Sequence, residues 1–565
     1  MAGPIRRRPS LPAGRPEHDG CQPYRVIVPA APAQPRPCAR ATDHRRPRRS
    51  DPVLAQCAVD QWPLFPGGLC PAGRRRGNHR QGHTGGLLMS LETRRTKRLS
   101  YLAPDLAATR LLNRGQSRAF PILLLIIVVA VLVASRQALL VLNALATALY
   151  VIAFLYGLYL VRQALSEPAT VSVGDALARA LVDSDLPVCT VLVPAYREPE
   201  VIGRLIRAME ALEYPVDRLD IKILLEEDDR ATIEAARLSH PQPHIQLLEI
   251  PLGLPRTKPR ACNYALRFAR GDIVTIFDAE DRPDPLQLRR AAAAFMRLDR
   301  SVVCLQAKLS YYNARQNLIT RWLTVEYASW FSMLLPALAA KGLPVPLGGT
   351  SMYLKRNVLN AIGGWDAFNV TEDADLGIRL HRLGYRTAVL NSTTYEEATS
   401  DFVNWIKQRS RWYKGYMQTW LVHTRHPRRL WHELGPRGFI SFQLTVGATP
   451  LVPLINPLFW MLTLLWSVGH FPFIAGLFPP WLYYPGMICM VLGNFAIIYA
   501  NILGARLGGY PDLLGAILLA PIYWVMMSIA ALKAAAQLVR LPNFWEKTTH
   551  GLDQPSPAEG SLAVE

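Results

Sequence analysis

The chain has 565 residues, half of them hydrophobic, and a formal charge of +20. That is room for a complete α/β catalytic domain and a membrane region, and the apolar share is high for a protein soluble throughout. The eight cysteines form no CxxC pair and sit beside no His cluster, which argues against a zinc centre and a disulfide framework and for reducing surroundings.

In chain order, residues 1–88 hold fifteen arginines, no lysine and five acids. They are rich in Pro, Arg and Gly without apolar periodicity, so disorder is expected, continuing to residue 117. The stretch lacks the apolar core of a secretory signal. We expect residues 1–88 to be non-native upstream sequence, with Met89 as the start. A basic arm for nucleic acid or anionic lipid is the competing reading; no nucleic-acid partner is expected.

Two apolar runs follow, 119–135 (AFPILLLIIVVAVLVAS) and 138–161. Each approaches or exceeds the ~20 residues that cross ~30 Å of hydrocarbon, so 118–162 is expected to be a transmembrane hairpin. Arg94, Arg95, Lys97, Arg98, Arg114 and Arg118 precede it and Arg162 follows it. The positive-inside bias puts both ends in the cytoplasm, in a multi-pass protein of the inner (cell) membrane.

Residues 166–430 change character. The runs 188–194 (VCTVLVP), 221–225 and 272–277 (DIVTIF) read as buried strands, with helical patterns such as 198–212 between them. This alternation predicts a parallel, doubly wound sheet, whose ligands sit at the carboxyl ends of its strands. Two of the strands run into acids, EEDD at 226–229 and DAED at 278–281. The aromatic run 321–340 reads equally as an interfacial helix or a buried core helix.

Apolar segments return at 438–469, 481–505 and 513–539, giving a C-terminal membrane region over 438–540. Three crossings would leave the C-terminus outside, whereas Lys533, Arg540 and Lys547 favour inside. The segment 438–469, interrupted by Pro450, Pro453 and Pro457, is therefore expected to be a broken hairpin or an interfacial helix plus one span.

Three constellations carry chemistry. Asp278, Glu280 and Asp281 follow an apolar strand, where hard carboxylate oxygens can hold Mg²⁺ or Mn²⁺, a Lewis acid for a departing diphosphate; a solvated acidic turn is the plain alternative. Thr371-Glu372-Asp373 precedes a helical run at 374–383. Thr371 can be an ordinary N-cap with favourable charges in the first turn, or Asp373 can be a general base for an acceptor hydroxyl. In Gln408-Arg409-Ser410-Arg411-Trp412, Arg409 or Arg411 can bind a diphosphate and Trp412 can offer a flat face to a sugar ring. A basic juxtamembrane helix with an anchoring Trp fits the same five residues. Lys258 and Asn263 (KPRACN) are weaker candidates for lining a nucleotide pocket.

Taken in order, VLVPAYREPE at 191–200, EEDD, KPRACN, DAED, GGTSMYLKR at 348–356, TEDADLG at 371–377 and QRSRWYKG at 408–415 resemble processive family 2 glycosyltransferases, the group of cellulose, hyaluronan and chitin synthases. The resemblance covers roughly 118–551. It implies a GT-A (Rossmann-like) α/β catalytic domain inserted between α-helical transmembrane segments, with a nucleotide sugar and Mg²⁺ or Mn²⁺ bound. It matches Asp278 and Glu280 to the D-x-D, Asp373 to the catalytic base, and Gln408, Arg411 and Trp412 to the acceptor and diphosphate motif. Glu226 and Glu227 match a nucleotide-side pair that is often Asp-Asp. Glu at 280 is a second departure, and Asp281 can share its role. Residues 544–551 (FWEKTTHG) loosely resemble the loop that covers the active site in cellulose synthases, which places a gating loop in the tail 541–565.

The function so implied is inverting transfer from a nucleotide sugar, UDP-glucose by a small margin, to a growing polysaccharide on the cytoplasmic face. A glycolipid synthase with a lipid acceptor is the nearest rival. A non-catalytic membrane scaffold or transporter is the rival of another class. Membrane lipids are expected partners.

Overall fold

The computed structural model describes residues 98–166 and 170–547. The expectations for residues 1–97, including the start at Met89, and for the end of the gating loop beyond Lys547 lie outside the described residues; the disorder expected to continue to 117 does not hold at 98–117, where Leu99, Ala107 and Ala108 are buried and Arg98–Leu102 is helical.

Among the described residues, nine strands build one sheet: β1 (Thr170–Val171), β2 (Cys189–Ala195), β3 (Leu219–Glu226), β4 (Ile245–Ile250), β5 (Ile273–Ile276), β6 (Arg282–Pro283), β7 (Val302–Tyr311), β8 (Met352–Lys355) and β9 (Arg386–Glu396). Their order is β1-β9-β7-β8-β5-β2-β3-β4, with β6 on β9. Alternate residues of β2 enter two different cores. Val191 and Val193 pack with the helices Ile202–Glu210 and Gln287–Arg297. Leu192 packs on the other face with Lys258–Ala265 and Leu335–Ala340. Both faces are covered, so the strand reads as a continuous apolar run rather than an alternating one. Each such side chain contributes about 1.5–3 kcal/mol of burial.

The expectation of a purely parallel sheet is corrected. β8 runs antiparallel between β5 and β7, and β6 runs antiparallel to β9. The cause is local. β8 leaves the loop 348–351, which is already pinned at the carboxyl end of β5 by the Ser351 amide donating to the Ile276 carbonyl (2.8 Å). A strand that starts at that edge must run back.

Among the described residues, six helices are long and apolar enough to cross a membrane: Arg114–Val133, Ser135–Ser166, Leu318–Ala340, Pro427–Gly469, Pro480–Leu507 and Ala520–Arg540. Their surroundings differ. Arg114–Val133 starts against the α/β domain, where Asn113 and Gln116 donate to the carbonyls of Arg425 and Leu421. Ser135–Ser166 returns beside the Pro427–Gly469 helix through Tyr150 to Asn456 (2.5 Å) and Tyr156 to Ser441 (2.7 Å), and Asn143 donates to the Leu477 carbonyl (2.7 Å) beyond that helix's end. Its last turns put Leu160 into the core of the sheet. Leu318–Ala340 is about two-thirds buried, which matches the buried-helix reading of 321–340.

The segment 438–469 is not a broken hairpin. Pro453 and Pro457 lie inside a continuous helix, Ala448–Gly469, that follows a π-helical turn at Gln443–Gly447; neighbouring helices can re-satisfy the backbone groups a proline frees. The chain break sits earlier, at Gly435 (φ 65°, ψ 171°), a conformation suited to glycine. The unusual element is instead Ala520–Arg540. Both its ends meet the α/β domain: Arg315 pairs with Asp512 (2.8 Å) and Trp322 donates to the Ala516 carbonyl (2.8 Å) before it. After it, Lys414 donates to the Phe544 carbonyl (2.6 Å).

Candidate active site

The site forms where strand ends, the loop 348–351, the helix Glu372–Arg382 and the helix Phe402–His423 converge at the carboxyl edge of the sheet. Asp278, two residues beyond β5, forms an ion pair with Lys258. The same ammonium donates to the Gly349 carbonyl (2.9 Å). Burial works against the charge of Lys258, and Asp278 and Glu372 more than offset it, so its pKa is raised. Glu280 is pushed up to about 8 by burial and by Asp278.

Asp281, also expected as a metal ligand, has one oxygen engaged within the fold and its Oδ1 without a hydrogen-bond partner among the described residues. It is buried, and its Oδ2 accepts from the Asp278 amide (2.7 Å) and from the Thr350 hydroxyl. It thus clamps the turn 278–281 to the 348–351 loop. Among the described residues, no three His, Cys, Asp or Glu side chains form a ready metal cage. The remaining pair, Asp278 and Glu280, fits a divalent ion by the chemistry of its donors: Mg²⁺ is commonly held by one or two carboxylates plus substrate phosphates and water.

Asp373 is partly buried, and its Oδ1 has no hydrogen-bond partner among the described residues. Burial pushes its carboxyl up to about 6, while the Ala374 amide, Lys258 and Arg411 pull the other way. Gly349 makes this approach feasible: a Cβ there would lie 3.2 Å from Asp373 Oδ2, and its φ of 79° is already a glycine conformation. Thr371 makes no N-cap bond, its hydroxyl being buried without a hydrogen-bond partner among the described residues. Neighbouring Glu372 is also pushed up, to about 8, by burial and by Asp373.

The two arginines of the Gln408–Trp412 run part company. Arg411 faces the acids: its charge interacts with Glu372, Asp278, Asp373 and Glu280, while burial lowers its pKa. Its guanidinium lies 4.7 Å from the Trp545 ring centre. Arg409 does not join them, a correction to the expectation that either could serve. It is buried in a paired contact with Glu326 (Nη1 to Oε1 2.6 Å) and donates to the Tyr523 hydroxyl (2.9 Å). Trp412 is half-buried, 4.6 Å from the Arg409 guanidinium and 6.1 Å from the Tyr327 ring. Gln408 is buried and accepts from Thr399 (3.4 Å).

The nucleotide-side candidates also divide. Glu226 ends β3 and pairs with the buried Arg260 (2.7 Å); burial raises its pKa. Glu227 is exposed and accepts the Leu252 amide (3.2 Å). Asn263 is tied into the fold. It is buried and clamps the Gly-Gly-Trp turn, donating to the Trp365 carbonyl (2.8 Å) and accepting the Trp365 amide (3.0 Å).

Sequence reasoning missed Glu396 and Lys414, whereas the strap at 541–547 falls in the tail expected to hold a gating loop. Glu396 ends β9, and burial with Asp281, Glu280 and Asp278 raises its pKa well above the carboxylate range. The segment 541–547 straps the site: besides Trp545 on Arg411, Gln418 donates to the Pro542 carbonyl (2.8 Å). Lys547 reaches the Arg197 carbonyl (3.0 Å) and Glu198 (3.1 Å), just beyond β2. Burial lowers the Lys414 ammonium under this strap to about 8. The string FWEK was the available signal for the strap; nothing in the sequence marks Glu396.

The profile of a family described as "Glycosyltransferase like family 2" matches residues 187–415. The chain is 28% identical over 235 residues to a probable glycosyltransferase, YdaM, of Bacillus subtilis (strain 168), over 41% of this chain and 56% of that protein. It is 26% identical over 330 residues to a beta-monoglucosyldiacylglycerol synthase of Synechocystis sp., over 54% and 68%. To a cellulose synthase catalytic subunit of Komagataeibacter sucrofermentans it is 25% identical over 243 residues, 42% and 32%. The matches therefore span between 32% and 68% of these relatives' own lengths. Among solved structures, a mannosyltransferase from Pyrobaculum calidifontis is similar with a TM-score of 0.44 at 19% identity, over 71% of this chain and 99% of that one. Residues 187–415 carry a glycosyltransferase family 2 domain, set among apolar helices long enough to cross a membrane.

Proposed function

We propose that the chain is a membrane-embedded, inverting glycosyltransferase that moves a sugar from a nucleotide-sugar donor to a growing polysaccharide. The observation that carries this reading is that Asp373, whose Oδ1 has no hydrogen-bond partner among the described residues, and Arg411 feel each other's charge beside the Lys258–Asp278 ion pair. The acceptor hydroxyl attacks the anomeric carbon, the bond to the diphosphate oxygen breaks, and Asp373 takes the hydroxyl proton. Its raised pKa makes it a better base than a solvent-exposed Asp while leaving it ionised at neutral pH. Arg411 and Lys258 supply positive charge where the leaving diphosphate gains negative charge. Asp278 and Glu280 would hold a divalent ion, whose contribution when bound is to neutralise the diphosphate. Trp412 with Tyr327 forms an aromatic wall suited to the acceptor's ring faces.

We also propose four membrane crossings: 114–133, 135–166, 436–469 and 480–507. Ala520–Arg540 stays at the domain's side, because both its ends are tied there. An even number of crossings then follows the catalytic domain, which keeps the strap 541–547 on the same side as the site. The basic residues Arg114, Arg118 and Arg162 make that side cytoplasmic.

A second reading, transfer of one or a few sugars to a lipid, is favoured by the longer match to the monoglucosyldiacylglycerol synthase than to the cellulose synthase subunit. Both relatives' names support a glucosyl donor, and UDP-glucose is the first to test. Membranes containing the protein are incubated with radiolabelled UDP-glucose, UDP-N-acetylglucosamine or GDP-mannose and then extracted with organic solvent. Label in an insoluble, glycosidase-sensitive fraction supports chain building. Label confined to the organic phase replaces it with glycolipid synthesis.

A further inference from the structure

The helix Phe402–His423 carries a stripe at positions 411, 415, 419 and 423, four residues apart and so on one face. Arg411 heads it at the site. Below it, the stripe is locked to the segment bearing Asp373. A Cβ on Gly415 would overlap the side chain of Thr371, so helix and loop are in contact with nothing between them. The Asn369 amide donates to the Thr419 hydroxyl (2.9 Å), and the Val370 amide donates to Gln418 just off the stripe (3.2 Å). At the foot, His423 Nε2 hydrogen-bonds Asp375 Oδ1 (2.9 Å), both residues being buried.

This last contact is held from both sides. Asp375 accepts Arg379 (2.7 Å) on its other oxygen. The second ring nitrogen of His423, Nδ1, meets Arg382 Nη1 (2.9 Å), and Arg382 pairs with Glu433 (2.6 Å). A guanidinium only donates, so Nδ1 accepts and Nε2 carries the proton toward Asp375, which fixes the ring's tautomer. Asp375 lies two residues from Asp373 on the same helix, and His423 lies twelve residues from Arg411 on the other. None of these groups needs to touch a substrate to set how far the base stands from the diphosphate cation.

We infer that the buried Asp375–His423 hydrogen bond is the positioning contact that holds the base Asp373 in register with Arg411. This rests on the reading of the site as a glycosyl-transfer centre. Transfer is steep in geometry, with a misplacement of about 1 Å costing on the order of 100-fold. The contact should therefore act on turnover rather than on donor affinity.

The test uses the full-length protein in nanodiscs, measuring nucleoside diphosphate release with saturating acceptor, normalised to monodisperse protein. His423→Phe removes the bond and should lower kcat about 10- to 100-fold with the donor KM within about twofold. His423→Gln retains a donor and an acceptor and should stay within about threefold of the wild type. In an Asp373→Asn background, His423→Phe should cost less than about twofold more, because the base it positions is already gone. An unchanged kcat, a rise in KM alone, or losses that multiply in the double variant overturn the inference. If His423→Phe is not monodisperse, Thr419→Val reads the same seam; a kcat fall of about threefold or more at constant KM supports the inference and none overturns it. A wild type that turns over no nucleotide sugar overturns the functional reading itself and this inference with it.

Discussion

Arg409 and Arg411 stand two residues apart on one helix and belong to different regions of the molecule. Arg411 looks onto the carboxyl edge of the sheet, where its charge is shared among Asp278, Glu280, Glu372 and Asp373 and none of them is a dedicated partner. Arg409 is committed to Glu326 and Tyr523, on the two helices packed behind the site. The lesson is one of division of labour along a helix. A cation held in a paired contact with one carboxylate and a hydroxyl ties the scaffold together, whereas a cation whose charge is spread over several acids is available to a ligand.

The sharpest way to break this contrast is at the available groups. Asp373→Asn should lower the transfer rate at least ~100-fold through loss of general-base catalysis, with donor binding retained in equilibrium titration. Arg411→Met should cost about 10- to 100-fold in kcat/KM, the loss of one charge-assisted bond of about 1.5–3 kcal/mol. Arg411→Lys should recover part of it, since lysine keeps the charge but not the fork.

A smaller effect comes from pH. Asp373 works as a carboxylate, and burial lifts its pKa from the ordinary aspartate range to about 6. Activity should therefore be lost as pH falls through about 6, not through about 4, and at pH 5 it should be about tenfold below the plateau. A pH–kcat profile from 5 to 8 checks this.

The smallest effect on rate belongs to the committed group. Glu326→Gln weakens the Arg409 pair, and Glu326 is 31% exposed, so the expected loss is about 1–3 kcal/mol of stability. It should appear as a lower Tm, with kcat per folded molecule changed less than about threefold. A Glu326→Gln enzyme as impaired as Arg411→Met would erase the distinction between the two arginines.

What could be read in advance follows the same line. The strands were legible because both their faces are buried, which leaves unbroken apolar runs such as 188–194. The acids were legible because Asp278, Glu280 and Asp281 are adjacent in sequence and end a strand. Which of them turns inward was not, because that depends on Thr350, 69 residues from Asp281. The fates of Arg409 and Asn263 were hidden for the same reason, their partners lying 83 and 102 residues away. Charge bias asked for an even crossing count but could not name the helix that stays behind. Contacts at both ends of Ala520–Arg540 are what support our proposal that this helix does.

The most direct test of the account is the anomeric outcome of one transfer. The full-length protein in nanodiscs is given UDP-α-glucose and Mg²⁺, and the released UDP and the linkage of the transferred sugar are measured together. Inverting chemistry at Asp373 and Arg411 predicts one UDP for each β-linked glucose. An α-linked product, or UDP released without sugar transfer, contradicts it.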